Sequence, residues 1–279
     1  MPELPEVEAA RAIAQRVAAG RRIVEVRCAG DPIVFEGVSP ARFSRVLKGR
    51  RVEAVRRRGK HLWLVLDRRP WPTFHFGMAG GFHSTATRGL RLVSYGNVDR
   101  FAEWPPRFTK LHLRFDDGGE LVMTDGRRLG RIRLRQDPAA EPPISLLGWD
   151  ALLELPPPAR FLALLRERQA PIKAVLLDQG FAAGVGNWIA DEVLYQARIA
   201  PARRAHLLTP AEAARLRSRI RSVMKTAVGA RSDSDRFPRG WLFHHRWGRN
   251  AEARTARGER IRHVTVGGRT TAWVPAVQR

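Results

Sequence analysis

The strongest constraint on the fold is a change of sequence character near the middle of the 279-residue chain. Before Gln136, short apolar segments mostly alternate in polarity and end at Gly, Asp or Pro, which is typical of antiparallel strands. After Pro158, apolar residues recur at helical spacing. The stretch between these two residues is rich in proline, which continues neither a helix nor a central strand. The chain therefore changes from strands to helices at a proline-rich boundary.

This arrangement predicts an α+β protein with four sections. Residues 1–136 are predicted to form a two-layer β-sandwich with a leading helix, and residues 137–158 a linker. Residues 159–230 are predicted to form a helical domain in which two helices are joined by two turns. Residues 231–279 are predicted to form a loop and a terminal β-hairpin.

The leading helix is predicted over Pro5–Ala19, where apolar residues are spaced by four and Gly20 ends the pattern. Strands follow in the same section, separated by turn residues. They are predicted at Arg22–Cys28, Arg51–Arg57, Lys60–Leu66, Thr73–Phe76, Thr109–Phe115, Glu120–Thr124 and Arg131–Arg135.

Helices are predicted in the second half at Pro171–Asp178, and from Asn187 as N-cap to Ala197. Thr209-Pro210-Ala211-Glu212 has the pattern of a capping box with proline at the first helical position, and it begins a longer helix. Near the end of the chain, two glycines separate alternating segments at Arg260–Val266 and Arg269–Val274. This pattern predicts a hairpin with a tight turn.

The charge of the chain points to a polyanionic partner. There are 50 basic residues against 27 acidic ones, a net charge of +23. Only five of the basic residues are lysine, and the others are arginine, whose planar group is suited to phosphate. A GC-rich genome would explain arginine in place of lysine but not the shortage of acids. Nucleic acid is therefore the expected partner.

Cys28 is the only cysteine, which excludes disulfides and a cysteine-rich zinc site. It lies in an alternating apolar run and is predicted to be a small buried side chain. No apolar run has the length of a membrane span, and the N-terminus lacks the core of a signal peptide. We expect a soluble, intracellular protein.

The segment Pro2-Glu3-Leu4-Pro5-Glu6-Val7-Glu8 permits two interpretations. Removal of Met1 would leave Pro2 with a free secondary amine, part of which is neutral at pH 7 because α-amino groups have pKa values of roughly 8. A neutral amine can attack a carbonyl-like carbon, and Glu3 and Glu6 could transfer protons. Alternatively, these residues only start a helix, since proline and acids are favoured there.

The segment Gly184-Val185-Gly186-Asn187 leads into a predicted helix. Glycines before a helix let backbone N–H groups approach an anion, and the helix dipole favours phosphate at this end. Many turns between helices contain glycine, so this short pattern is informative mainly beside the excess of arginine.

Six segments together resemble the formamidopyrimidine-DNA glycosylase/endonuclease VIII family, in family order and over essentially the whole chain. They are PELPEVE, RRRGKHL with Lys60, HFGMAGG with Met78, TDGRR with Arg127, GVGNWIADEVLYQARIAP with Asn187, and GGRTTAWVPAVQ with Arg269. Bacterial relatives usually end in a four-cysteine zinc finger. The last segment instead looks like the zincless finger of plant, fungal and some animal members.

The resemblance implies a bifunctional DNA glycosylase and abasic-site lyase of base excision repair. It would excise oxidised bases through a Schiff base on Pro2 and cleave the strand by β,δ-elimination. Glu3 would protonate the sugar-ring oxygen and move protons during cleavage, and Glu6 would position the sugar or the loop around Pro2. Lys60 would contact the phosphates that flank the lesion.

The resemblance also implies DNA contacts. Met78 would enter the base stack beside the flipped nucleotide, and Arg127 would replace its lost pairing with the orphaned base. The family commonly has an aromatic residue two positions after this arginine, where this chain has Leu129, which can wedge but stacks less well. Phosphates would be bound by Gly186, Asn187 and Arg269.

The expected partner is double-stranded DNA with oxidised bases or abasic sites, bound by a monomer without membrane, cofactor or metal. His244, His245 and His263 do not predict zinc, because adjacent histidines on a strand face opposite ways and no cysteine completes the set. The expected location is the cytoplasm or nucleoid, or the nucleus of a eukaryote.

Two questions of function stay open in the sequence. The Arg231–Pro238 segment is short where relatives carry a lesion-capping loop. This favours formamidopyrimidines, hydantoins or oxidised pyrimidines over 8-oxoguanine as substrates. An enzyme that acts only on abasic sites, or a protein that binds damaged DNA without catalysis, is an alternative to the bifunctional glycosylase.

Overall fold

The computed structural model of the chain describes residues 2–85, 103–248 and 250–279. These ranges contain six α-helices and twelve strands. None of the helices in the described part of the chain is long and apolar enough to cross a membrane.

Contacts divide the chain into two compact units. The first comprises Met1–Leu146 and Arg231–Ser234, and the second comprises Leu147–Ala230 and Asp235–Arg279. Strands dominate the first unit and helices dominate the second. This confirms the predicted α+β class, with a β-sandwich followed by a helical region and a terminal hairpin.

The first unit contains two four-stranded antiparallel sheets, in the orders β1-β6-β7-β5 and β2-β3-β4-β8. Two helices, α1 (Leu4–Ala18) and α2 (Pro40–Leu47), accompany them. The strands are β1 (Ile23–Cys28), β2 (Val52–Arg58), β3 (His61–Leu66), β4 (Trp71–His75), β5 (Gly81–His83), β6 (Thr109–Phe115), β7 (Glu120–Thr124) and β8 (Arg131–Arg135).

Aromatic side chains join the two sheets. Phe74 of β4 and Phe82 of β5 are both 1% exposed, and their ring centroids lie 5.0 Å apart in an edge-to-face arrangement, which suits the charge distribution of aromatic rings. Ala10 and Ala14 of α1 are fully buried in the same core. Their small side chains let the helix pack closely, so its N-terminus is held by the sandwich.

Local patterns located most strands of the first unit. Three strand predictions match at both ends, and the other four lie within two residues of the observed bounds. The sequence patterns do not predict β5 and α2, which are only three and eight residues long. The start of α2 was nevertheless readable, because Ser39 caps it and Pro40 occupies its first position. Cys28 is only partly buried, and burial raises the pKa of its thiol to about 12.

The second unit contains four helices, α3 (Pro158–Arg166), α4 (Ile172–Leu177), α5 (Asn187–Ala197) and α6 (Pro210–Gly229). Two short parallel strands, β9 (Trp149–Asp150) and β10 (Ala182–Ala183), precede α3 and α5 respectively. The predicted terminal hairpin is formed by β11 (Arg262–Val266) and β12 (Arg269–Trp273).

Two features of the second unit differ from expectation. Helix α3 was missed because Pro156-Pro157-Pro158 was interpreted as linker, whereas Pro158 is the first residue of the helix, a favourable position for proline. The segment after α6 was interpreted as a polar loop. Phe237 is instead 3% exposed and packs against Trp188, Trp241 and Phe243.

We expect Phe74→Ala to lower the free energy of unfolding by about 3–5 kcal/mol, because the buried ring would leave a cavity between the sheets. Urea denaturation followed by fluorescence measures this change. Leu146→Ala is the matched control, since Leu146 is 71% exposed, and it should alter stability by less than about 0.5 kcal/mol. Equal effects of both substitutions would contradict the assignment of the core.

Candidate active site and nucleic-acid interface

The start of α1 brings Pro2, Glu3 and Glu6 into one buried corner. Glu3 is the N-cap, and the two glutamates form a reciprocal capping box. The backbone N–H of Glu3 donates to Oε2 of Glu6 at 2.8 Å. Pro2 is buried, and the two glutamates are 2% and 7% exposed. Ordinary helix capping therefore places two carboxyl groups beside the N-terminal residue.

Burial changes the acidity of Glu6. Removal of its carboxyl group from water, together with the charge of Glu3, raises the pKa of Glu6 to about 7, because both effects disfavour the ionised form. A carboxyl group whose pKa lies near the working pH can donate and accept a proton. Glu6 therefore has an acid–base capacity at neutral pH that an exposed glutamate lacks.

A buried arginine connects α1 to the turn that carries Lys60. The side chain of Arg57 is 1% exposed, and it donates to Glu8 at 2.8 Å and to the carbonyl of Gly59 at 3.0 Å. Arg11 binds the same glutamate. The sequence does not predict the roles of Glu8 and Arg57, because nothing local indicates a contact between residues 49 positions apart.

Lys60 lies in the turn between β2 and β3, not at a strand start as expected, and it is 8% exposed. Gly59 before it has a φ of +56°, which glycine adopts without steric cost. The next residue, His61, pairs across the sheet with His75, and their ring centroids lie 4.7 Å apart. Lys60 therefore adjoins two neighbouring imidazole rings, whose planes are tilted by 32°.

Both of these histidines are neutral at pH 7. Burial lowers the pKa of His61 to about 3 and that of His75 to about 4. Nearby positive charges, including Lys60 and Arg133, act in the same direction. The positive charge of Lys60 is thus accompanied by uncharged rings, not by further cations from these two residues.

Met78 lies in a tight turn after β4 and is partly exposed. The described core of the sandwich does not include it. Gly77 has a φ of +58°, and a Cβ atom there would lie 2.3 Å from the backbone carbonyl carbon of Leu129. Only glycine allows so close an approach. The turn of Met78 and the loop of Leu129 are therefore in direct contact.

Buried Asp125 shapes the loop that carries Arg127 and Leu129. Its carboxylate accepts from the backbone N–H of Arg127 at 3.1 Å and from that of Gly130 at 2.6 Å. The side chains of Arg127 and Leu129 are exposed, the latter at 43%. The structure thus brings Met78, Arg127 and Leu129 together on two adjoining loops.

The two adjacent arginines of this loop differ in their partners. Arg128 donates to both carboxylate oxygens of Asp31, at 3.0 and 3.1 Å, and Lys110 binds the same group at 2.7 Å. These cations hold the pKa of Asp31 well below its usual range. Within the described ranges the side chain of Arg127 makes no hydrogen bond or ion pair. Its donors are therefore available to a ligand.

In the second unit, Gly186 is the N-cap of α5, so the prediction of Asn187 as N-cap was wrong by one residue. The amide of Asn187 has another use, since its Nδ2 donates to the carbonyl of Thr270 at 2.9 Å. Gln179 shapes the preceding turn by accepting from the N–H of Gly184 at 3.0 Å and donating to two backbone carbonyls. Nδ2 carries two N–H groups, so the second one is left for a ligand.

The terminal hairpin presents an arginine at its tip. Gly267 and Gly268 have φ angles of +59° and +71°, as a tight primed turn requires. Arg269 follows directly and is exposed. A Cβ atom at Gly267 would lie 3.0 Å from that of Ala174 in α4. The turn is therefore seated on α4, while the hydrogen bond from Asn187 joins the same hairpin to α5.

Ion pairs and backbone hydrogen bonds hold this hairpin. Buried Asp191 of α5 accepts from Lys173 at 2.5 Å, from Arg246 at 2.6 Å and from the backbone N–H of Ala272 at 3.0 Å. The hairpin offers no thiolate to a zinc ion, because Cys28 in β1 is the only cysteine of the sequence. In the described parts of the chain, no three His, Cys, Asp or Glu side chains are grouped to hold a metal.

A two-sheet sandwich led by a capped helix, followed by helices joined through glycine turns and by a basic hairpin, defines a helix-two-turns-helix protein. Family models agree with this class. Residues 1–132 match the model of the formamidopyrimidine-DNA glycosylase N-terminal domain, and residues 147–238 match that of the formamidopyrimidine-DNA glycosylase H2TH domain. The chain belongs to the formamidopyrimidine-DNA glycosylase family, whose members are DNA-repair glycosylases and abasic-site lyases.

Individual relatives cover the whole chain. A formamidopyrimidine-DNA glycosylase of Arabidopsis thaliana is 43% identical, over 100% of this chain and 71% of the relative. One from Thermus thermophilus is 34% identical, over 100% of this chain and 98% of the relative. The crystal structure of a Thermus thermophilus MutM protein has a TM-score of 0.76 and 32% identity, and covers 99% and 98% of the two chains.

A Lactococcus lactis formamidopyrimidine-DNA glycosylase has the same fold. Its crystal structure, in which it is non-covalently bound to DNA containing an abasic site, has a TM-score of 0.80 and 23% identity. The match covers 99% of both chains.

We expect stability to fall as the pH drops below about 6.5, because histidine in the unfolded chain then takes up protons that the partly buried His61 and His75 of the folded chain bind only near pH 3 and 4. Thermal denaturation at pH 7.5 and pH 5 measures the loss. His61→Phe keeps an aromatic ring but cannot titrate, so its melting temperature should fall less between these pH values. An equal fall in both proteins would contradict the lowered pKa of His61.

We expect Asp191→Asn to destabilise the second unit by about 3–5 kcal/mol, because it leaves Lys173 and Arg246 buried without their anion. Hydrogen exchange should accelerate first at the backbone amides of β12. Glu252→Gln is the control, since the Glu252 side chain is 75% exposed, and it should change neither property. Unchanged exchange in Asp191→Asn would show that the hairpin is held by other contacts.

Proposed function

We propose that this chain is a bifunctional glycosylase and lyase that acts on oxidised bases in double-stranded DNA through a Schiff base on Pro2. The observation that carries the proposal is the buried corner at the start of α1. There, Pro2 adjoins Glu3 and Glu6, and the pKa of Glu6 is raised to about 7. Such chemistry requires an amine nucleophile and a carboxyl group that transfers protons, and we give these roles to Pro2 and Glu3, with Glu6 holding both in position.

Removal of Met1 converts the nitrogen of Pro2 from an amide into a secondary amine. The lone pair of its neutral form attacks C1′ of the damaged nucleotide, and the glycosidic bond breaks with its electrons passing to the base. The leaving base takes up the proton that the Pro2 nitrogen loses, which restores the lone pair of that nitrogen. Protonation of the sugar-ring oxygen by Glu3 opens the ring and leaves an iminium ion between Pro2 and C1′. The covalent link thus divides one difficult substitution into two easier steps.

Strand cleavage follows from the iminium ion. Loss of a proton from C2′ expels the 3′ phosphate, which is the β-elimination, and a second elimination expels the 5′ phosphate. Glu3 transfers protons in these steps. Glu6 accepts from the backbone N–H of Glu3 and thereby fixes the turn on which both Glu3 and Pro2 lie, so we assign it a positioning role.

The loops of the first unit supply the contacts that base eversion needs. Lys60 binds the phosphates beside the lesion. Met78 is partly exposed at the centre of its turn, and a flexible apolar side chain can fill the space of a flipped base. Arg127 has free donors for the orphaned base, and Leu129 wedges beside it. Contact between the two loops supports their action as one set.

The second unit supplies phosphate contacts. One phosphate binds at the N-terminus of α5. It accepts hydrogen bonds from the backbone at Gly186 and from the second side-chain N–H of Asn187. Arg269, at the exposed hairpin tip, donates to another, since a guanidinium group binds phosphate through two N–H groups. The hydrogen bond between Asn187 and Thr270 supports the combined use of turn and hairpin. Neither contact requires a metal ion.

Borohydride trapping on duplexes tests this function, because borohydride reduces a Schiff base to a stable covalent adduct. We expect adducts with duplexes that carry a formamidopyrimidine, a hydantoin, an oxidised pyrimidine or an abasic site. Pro2→Gly should lower the yield by about tenfold or more, because it replaces the reacting secondary amine. Pro40→Gly, at the start of α2, is the matched control and should trap normally.

Each other outcome selects a different function. Adducts with abasic DNA alone would identify an enzyme that acts only on abasic sites. No adduct with any duplex, despite binding, would identify a damaged-DNA-binding protein without catalysis. An unchanged adduct in Pro2→Gly would move the nucleophile to another residue.

A further inference from the structure

The side chain of Phe108 is unusually exposed for a phenylalanine. Its exposed fraction is 53%, whereas every other phenylalanine in the described ranges is buried. It also has a φ of +64°, a conformation that is a genuine outlier for a bulky side chain. Such outliers are concentrated where surrounding contacts hold a residue for function.

The position of Phe108 is fixed by the loop that carries Arg127. The residue directly precedes β6, and its carbonyl accepts from the backbone N–H of Asp125 at 3.0 Å. Its ring lies against Gly126, where a Cβ atom would approach ring carbon Cδ2 to 3.2 Å. The aromatic ring is therefore packed one residue from Arg127, against the loop that also carries Leu129.

The ring of Phe108 contacts an arginine that can move away from it. The guanidinium carbon of Arg107 lies 5.2 Å from the ring centroid, within the range of a cation–π contact. Arg107 is itself exposed, and an exposed contact of this kind is weak. A phosphate is a stronger partner for the guanidinium group. When DNA binds, the guanidinium group of Arg107 can therefore move to a phosphate of the DNA backbone. This leaves the ring of Phe108 available for another contact.

We propose that Phe108 contacts the duplex by stacking on the base opposite the lesion, and so supplies the aromatic face that Leu129 lacks. The proposal rests on the proposed function, which provides the everted nucleotide and the orphaned base. Arg127 donates hydrogen bonds to that base, and the adjacent ring covers its π face. An aromatic ring can stack on any base, so Phe108 can stack on an unpaired purine or an unpaired pyrimidine.

The experiment uses a duplex with a tetrahydrofuran abasic-site analogue opposite 2-aminopurine, whose fluorescence is quenched by stacking. The wild-type protein should quench it. Phe108→Ala should abolish the quenching and weaken binding by about 5- to 150-fold, the range given by alanine replacement of a base-stacking aromatic residue. Phe108→Tyr should behave as wild type. Leu146→Ala, which removes a side chain that is 71% exposed, is the control and should change nothing.

Phe108→Leu decides between stacking and simple apolar contact, and it also covers the possibility that the alanine variant fails to fold. It keeps apolar volume without an aromatic face and should resemble Phe108→Ala. Wild-type quenching by Phe108→Leu or Phe108→Ala would overturn the proposal.

Borohydride trapping on a single-stranded abasic oligonucleotide separates this proposal from the proposed function. No opposite base exists there, so Phe108→Ala should trap as well as the wild type. Equal losses on single-stranded and double-stranded DNA would overturn the role assigned to Phe108. Absence of trapping by the wild-type protein on double-stranded abasic DNA would refute the Schiff-base function, while the quenching result would still decide the contact.

Discussion

The buried contact of Arg57 with Glu8 and Gly59 is the interaction on which the proposed catalytic corner depends. A guanidinium group that is removed from water must be paired, because an unpaired buried charge costs several kcal/mol. Arg57 meets this requirement by binding α1 with one nitrogen and the turn before Lys60 with another. The start of α1 and the turn of Lys60 are therefore fixed to each other by one side chain.

Buried anionic side chains organise other parts of the structure in the same way as buried Arg57. In a chain with a net charge of +23, three buried aspartates each accept several donors and thereby organise a loop or hairpin. Asp31 holds Arg128, Asp125 shapes the Arg127 loop, and Asp191 secures the terminal hairpin. None of these three carboxylates pairs with the side chain of Arg127, which is exposed and keeps its donors for a polyanion.

The hairpin shows how a finger can be ordered without a metal. A zinc ion would fix two strands through thiolates, whereas here a close glycine contact with α4, an amide hydrogen bond from Asn187 and the ion pairs of Asp191 act together. Each of these contacts joins residues distant in sequence. The hairpin and its glycine turn were predicted from local pattern, but the absence of cysteine could only exclude thiolate ligation. The contacts that take the place of zinc ligation depend on how α4, α5 and the hairpin pack, which the sequence alone does not indicate.

The sequence by itself determined the strands, the longer helices, the capping acids beside Pro2 and the family, because alternation, caps and motifs are local signals. It did not indicate α2, which gives few turns for a clear period, or α3, whose first proline was interpreted as linker. Only the tertiary structure decided the contact of Arg57 with Glu8, the raised pKa of Glu6 and the placement of Phe108 beside Gly126. These properties depend on burial and on neighbours far away in the chain, and both are set only when the sheets and loops pack.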